Sequence, residues 1–180
     1  MQLSDFDTSP NLASLFLERA DRLADEPMLW CKREGSWQSL SWAEAAPPVC
    51  LRAEALRAKG GGDGDRVMLG AENRPGWCLA DLGIMAAGWV PVPAYITNTE
   101  RDQAHILDNS GARAVIVSTA KLAAPLIPAI ARSDACELLF TIEPIRHAQE
   151  GSFSWHEWRA LLQGDAAAAR AAVDRRLADI

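Results

Sequence analysis

At 180 residues, with 49% hydrophobic and 23% charged residues, the chain has globular rather than disordered composition. One domain of this length removes about 70% of its unfolded surface from water. The formal net charge is −6 without any block of like charges, which disfavours a nucleic-acid partner, since a phosphate backbone requires a basic stripe. Met1 to Asp5 has neither the basic nor the apolar region of a secretory signal. The longest uncharged run, residues 82–99, is broken by Gly83, Gly88, Pro91 and Pro93, short of the roughly 20 apolar residues that cross a bilayer. The expected location is the cytoplasm, free or peripheral to the membrane. Cys31, Cys50, Cys78 and Cys136 form no CxxC pair and are expected to be reduced, with Cys50 and Cys78 as small core residues on helices. His105, His147 and His156 complete no ligand spacing either, so no metal site is expected.

In chain order, Ser9-Pro10 reads as an N-cap and first helical position. Leu12, Leu15, Phe16, Ala20 and Leu23 follow at helical spacing and end before Pro27. Residues 28–31 and 37–40 flank a polar, glycine-containing turn, the pattern of a β-hairpin. Ser41 and Glu44 match a capping box. The helix they open is expected to be interrupted at Pro47-Pro48, because each proline removes a donor and clashes with the turn before it. Strands are expected at residues 66–70, 90–93, 114–117 and 138–142. Helices are expected at 75–87, 99–109 and 120–131, the last interrupted by Pro125 and Pro128, and finally at 155–162 and 166–178. Short apolar strands alternating with helices predict an α/β domain with a mostly parallel, doubly wound sheet covered on both faces. The organisation is a lead-in of helix, hairpin and helix (9–60), a parallel α/β core (64–143) and closing helices (152–180).

Few motifs carry chemistry. The glycines at 60–64 end a helix and precede a strand, the reverse of a phosphate loop, so they read as a helix C-cap with turns. Ser118-Thr119-Ala120-Lys121 stands after a strand and opens a helix, which is the right context. It has no glycine to let backbone N–H groups approach a phosphate, and reads as an N-cap with a surface lysine. The seven tryptophans, three of them in or beside the hairpin, read as cross-strand and core packing in preference to an aromatic binding platform. In an open parallel sheet, ligands bind beyond the carboxyl ends of the strands. That rule directs attention to residues 72–77, 94–99 and 118–121.

Several phrases together are similar to AMP-forming acyl-CoA synthetases, most closely the bacterial long-chain fatty-acid–CoA ligases. They are Gly64-Asp65-Arg66-Val67, Glu72-Asn73-Arg74-Pro75 with Trp77, residues 80–88, Val90-Pro91-Val92-Pro93-Ala94-Tyr95, and Ile106-Leu107-Asp108-Asn109-Ser110-Gly111-Ala112. The likeness covers about residues 11–143. It implies the N-terminal subdomain of an enzyme that uses ATP, Mg²⁺ and CoA to turn a fatty acid into an acyl-adenylate and then an acyl-CoA thioester. It places the loop of Tyr95, Thr97, Asn98 and Thr99 toward the acyl or CoA side. The family's phosphate-gripping loop, metal residue and catalytic lysine are expected beyond Ile180. No catalytic residue transfers, no cofactor is expected on this chain, and the chain alone is expected to be inactive and to associate through a bare truncated face. A non-catalytic nucleotide-binding module and an interaction domain built on the tryptophan-rich hairpin stand as alternatives.

Overall fold

A computed structural model describes residues 9–145 and 153–179; Met1 to Asp5 and His147 lie outside them. Helix α1 (Leu12–Leu23) starts two residues later than Ser9-Pro10 suggests. Asn11 is its cap, with Oδ1 accepting from the Ser14 N–H at 2.8 Å. Asparagine is as strong a cap as serine, so the local signal nearer the packed face prevails. The buried stripe is Ala13, Phe16, Leu17 and Ala20, while Leu12 is 64% exposed.

Strands β1 (Pro27–Arg33) and β2 (Ser36–Ser41) form the expected antiparallel hairpin. Glu34 and Gly35 both take positive φ, 49° and 83°, the geometry of a two-residue type I′ turn. Trp30 pairs with Ser39 and Lys32 with Trp37, which puts the two tryptophans diagonally on one face. Both are largely exposed, at 58% and 66%. The expectation of core packing fails for these two, because nothing among the described residues covers that face of a two-stranded sheet. It holds for Trp89 and Trp158, which are buried, and Trp42 packs on Phe16 at a ring separation of 6.0 Å.

Helix α2 (Trp42–Arg57) opens with the capping box: the Glu44 N–H donates to Ser41 Oγ at 3.2 Å, and the Ser41 N–H donates to the Glu44 carboxylate at 2.8 Å. It runs without interruption through Pro47 and Pro48. Helix α5 (Ala120–Arg132) likewise contains Pro125 and Pro128. These corrections share a cause. The carbonyls that lose their helical N–H, four residues back, belong to Ala43, Glu44, Lys121 and Ala124, all exposed, so water can replace each missing donor. The helices themselves are held by their buried faces.

Strand β3 (Arg66–Gly70), helix α3 (Pro75–Ala86), strand β4 (Val90–Pro93), helix α4 (Glu100–Ser110), strand β5 (Ala114–Val117), α5 and strand β6 (Leu138–Thr141) alternate as expected. The four strands are parallel. A further correction falls at 155–162, expected to be a helix. Ser154–Glu157 forms β7, parallel to β6, followed by a short 3-10 helix (Trp158–Leu162) and helix α6 (Ala166–Ala178). The free edge of β6 recruits it: the Ser154 N–H donates to the Glu137 carbonyl at 2.8 Å, and the Trp155 indole N–H donates to Thr141 Oγ1 at 3.1 Å. The five-stranded order is β4-β3-β5-β6-β7.

The core has two sides because β5 alternates. Ala114 and Ile116 join the cluster under α1, α2, α3 and α6, which includes Val49, Leu56, Ile84, Phe140 and Trp158. Val115 and Val117 join the cluster under α4 and α5, which includes Leu107, Leu126 and Ile130. The sheet is therefore covered on both faces, as a doubly wound fold requires. No helix among the described residues is long and apolar enough to cross a membrane. All four cysteines are free; Cys50 and Cys136 are buried, and Cys78 is half-buried. Burial pushes the Cys50 thiol up to about 11 and the Cys136 thiol up to about 12, so both stay protonated at neutral pH.

Candidate ligand crevice at the carboxyl edge of the sheet

The chain leaves β3 for α3 on one face of the sheet and leaves β4 and β5 for α4 and α5 on the other. Loops that part in this way open a crevice at the carboxyl ends of neighbouring strands. A cavity of about 590 Å³ lies there, walled by Ala71, Glu72 and Trp77 beyond β3 and by Ala94, Tyr95 and Ile96 beyond β4.

Of the four residues singled out in the sequence, the structure brings one to this cavity. Tyr95 is 82% exposed and lines it. Its carbonyl accepts from the Asn98 N–H at 3.3 Å, which turns the chain away. Thr99 caps α4, and its hydroxyl and N–H both meet the Asp102 carboxylate, at 2.8 and 2.9 Å. Thr97 is exposed, and neither it nor Asn98 or Thr99 is part of the cavity lining.

A pair that sequence reading did not assemble stands beside the crevice. Gly70 pairs with Val117 in the sheet, so the chains beyond them emerge side by side. There the fully buried Ser118 hydroxyl donates to the Glu72 carboxylate. Burial pushes the Glu72 carboxyl up, but the Ser118 hydroxyl, a backbone N–H and the charges of Arg74 and Lys121 outweigh it and hold the group below its ordinary value. Arg74 lies 4.0 Å from Glu72 and 2.7 Å from Glu143, tying the ends of β3 and β6 together. A lowered carboxyl pKa stabilises the fold above the ordinary carboxylate range, and the contribution is lost as pH falls through the lowered value. Ser118→Ala removes the hydroxyl donor, so the Glu72 carboxyl is expected to titrate at higher pH. Carboxyl-carbon NMR measures this, and an unmoved titration would contradict the pairing.

The strand-to-helix junction at 118–121 does not fit a nucleotide phosphate. Ser118 is committed to Glu72, and Thr119 Oγ1 accepts from the Leu122 N–H at 3.3 Å as the cap of α5. The junction has no glycine to admit an anion to the backbone. No group of three or more His, Cys, Asp or Glu side chains placed to hold a metal occurs among the described residues.

An open parallel sheet with helices on both faces and a crevice at its carboxyl edge defines a doubly wound α/β architecture. The chain belongs to the AMP-binding enzyme family, whose profile matches residues 16–172. It is similar to the long-chain-fatty-acid–CoA ligase FadD15 of Mycobacterium tuberculosis, at 33% identity over 86 residues, which cover 48% of this chain and 14% of that protein. Among solved structures it is similar to a benzoate CoA ligase from Burkholderia xenovorans, with a TM-score of 0.67, 24% identity, and coverage of 83% of this chain and 27% of the other. It is also similar to the coronafacic acid ligase from Pectobacterium brasiliense, with a TM-score of 0.72, 17% identity, and coverage of 83% and 29%. The fold is that of the N-terminal subdomain of adenylate-forming ligases. The chain thus spans 14% of the length of the curated relatives it matches.

Proposed function

We propose that this chain is the N-terminal part of an ATP-dependent acid–thiol ligase that adenylates a long-chain fatty acid with Mg²⁺-ATP and transfers the acyl group to CoA. The AMP-binding family match over residues 16–172 carries the reading. The choice of a fatty acid over an aryl acid rests on the 33% identity to FadD15. In this reading the loop of Tyr95, Thr97, Asn98 and Thr99 lies toward the acyl or CoA side, with Tyr95 its contact, since that ring lines the crevice. Adenylation needs a backbone cradle, a metal and a cation around the developing phosphoryl charge. Because the junction at 118–121 fits no phosphate, those groups are assigned to residues outside this chain, and the 180 residues alone do not turn over.

The test is pyrophosphate release and acyl-CoA formation by the protein that carries this chain, with ATP, Mg²⁺, CoA and a panel of short- to long-chain fatty acids plus benzoate. Turnover is expected with long-chain acids. Turnover with benzoate alone would contradict the fatty-acid reading, and no turnover with any acid would overturn the ligase reading.

A further inference from the structure

A second concavity, separate in its chemistry from the crevice, runs between the hairpin and the N-terminal half of α3, with a volume of about 910 Å³. Arg52 of α2 lines it. This side chain is only 9% exposed, and its Nε and Nη1 are buried without a hydrogen-bond partner among the described residues. Its guanidinium lies over the Trp158 ring at 5.1 Å. Stacking serves the flat face of a guanidinium but supplies no acceptor for its in-plane N–H donors. A buried cation in that condition has lost its hydration without gaining an acceptor. Burial lowers its pKa to about 10, which still leaves it charged at neutral pH.

The surroundings of Arg52 among the described residues are themselves positive. Among the described residues the other charged side chains of the groove are Lys32, Arg33 and Arg74, with no carboxylate lining it, although the whole chain carries a net charge of −6. Arg74 has Glu72 and Glu143 as partners. The 12-residue helix α3 begins in this groove with no side chain capping it; Pro75 has no N–H and the Trp77 N–H donates to the Arg74 carbonyl at 2.9 Å, so it is the positive end of its dipole that adds to the same potential. The remaining wall is apolar, with Leu29, Leu40, Trp77 and Leu79. An excess of positive charge, one desolvated donor set and an apolar wall together describe the complement of an amphiphilic anion.

We propose that the groove between the hairpin and α3 binds an oxyanion, a carboxylate or a phosphate, carried on an apolar body, with Arg52 as its anchor. This is independent of the ligase reading, because it rests on Arg52 and the groove alone.

The test titrates the 180-residue chain with octanoate, octanol and inorganic phosphate, using calorimetry and tryptophan fluorescence. Octanoate is expected to bind at least tenfold more tightly than octanol. Arg52→Met keeps the aliphatic stem and is expected to weaken octanoate at least tenfold, the size of one lost charge-assisted hydrogen-bond set. The Tm is expected to hold or rise, since the substitution also removes an uncompensated buried charge. Loss of binding with an unlowered Tm separates the site from a folding defect. Arg52→Lys keeps the charge and is expected to retain part of the affinity if the first variant fails to fold. Phosphate binding that depends on Arg52 assigns the oxyanion to a phosphate source, and octanoate binding alone assigns it to a carboxylate; both support the proposal. Equal octanoate affinity in wild type and Arg52→Met, equal affinity for octanoate and octanol, or no binding of either anion to the wild-type chain would overturn it.

Discussion

Phe140→Ala is expected to lower the unfolding free energy by about 3–5 kcal/mol, the usual cost of deleting a buried aromatic ring. Phe140 is fully buried on β6. Its backbone lies opposite Ile116 on one side and His156 on the other. Its ring meets Trp158 edge-on at 5.8 Å and 73°, and lies tilted against His156 at 5.6 Å. The ring therefore joins the sheet proper to β7 and to the 3-10 helix that follows, and aromatic pairs contribute beyond their buried area. Domains are stable by only about 5–15 kcal/mol, so the loss takes a large share. Equilibrium denaturation measures it directly. A loss below about 1 kcal/mol would mean that the fifth strand and Trp158 are not packed on β6 as described.

Gly61→Ala is expected to destabilise by about 1–3 kcal/mol, through overpacking rather than backbone strain. A Cβ at this position would lie 1.8 Å from Cζ2 of Trp89 and within 2.7 Å of two further ring atoms. Trp89 is buried, and its rigid ring belongs to the core cluster under α1, α2, α3 and α6. Gly62, the next residue, has open space around its Cβ position. Gly62→Ala is therefore expected to change stability by less than about 0.5 kcal/mol. Thermal melts of the two variants side by side check this, and equal effects would remove the Trp89 contact from the account.

The glycine run shows what the sequence could and could not disclose. A helix ending at glycines before a strand is a local pattern, and Gly60 and Gly64 do take positive φ, 84° and 79°, as turns there require. That Gly61 makes room for Trp89 is a contact across 28 positions, invisible to any local window. Strands β3, β5 and β6 were legible for a similar reason: each is a short apolar run buried on both faces, so its composition alone marks it. Strand β7 was not, because Trp155 and Trp158 stand three apart and suit a helix equally well; the edge of β6 decides. A sequence shows the bond each proline removes, but not that the orphaned carbonyls belong to exposed residues.

The site followed the same division. The rule that ligands gather at carboxyl ends of strands led to the loops at 72–77 and 94–99, and Tyr95 lies in the resulting crevice. Thr99 was drawn into the candidate set by its loop, but its hydroxyl serves the cap of α4. Ser118 and Glu72 meet only because β3 and β5 are neighbours in the sheet, although 46 positions separate them. Arg52 gave no signal at all, since an arginine within an amphipathic helix ordinarily reads as exposed.

The central proposal is that these residues, which have the fold of the N-terminal subdomain of adenylate-forming ligases, supply a ligand crevice but not the phosphate grip of such an enzyme. The most direct measurement is pyrophosphate release from ATP and a long-chain fatty acid, compared between the 180-residue chain alone and the longer protein that contains it. The account predicts release by the longer protein and none above background by the chain alone, because Ser118 and Thr119 are committed to Glu72 and to the cap of α5. Sustained release by the isolated chain would contradict it.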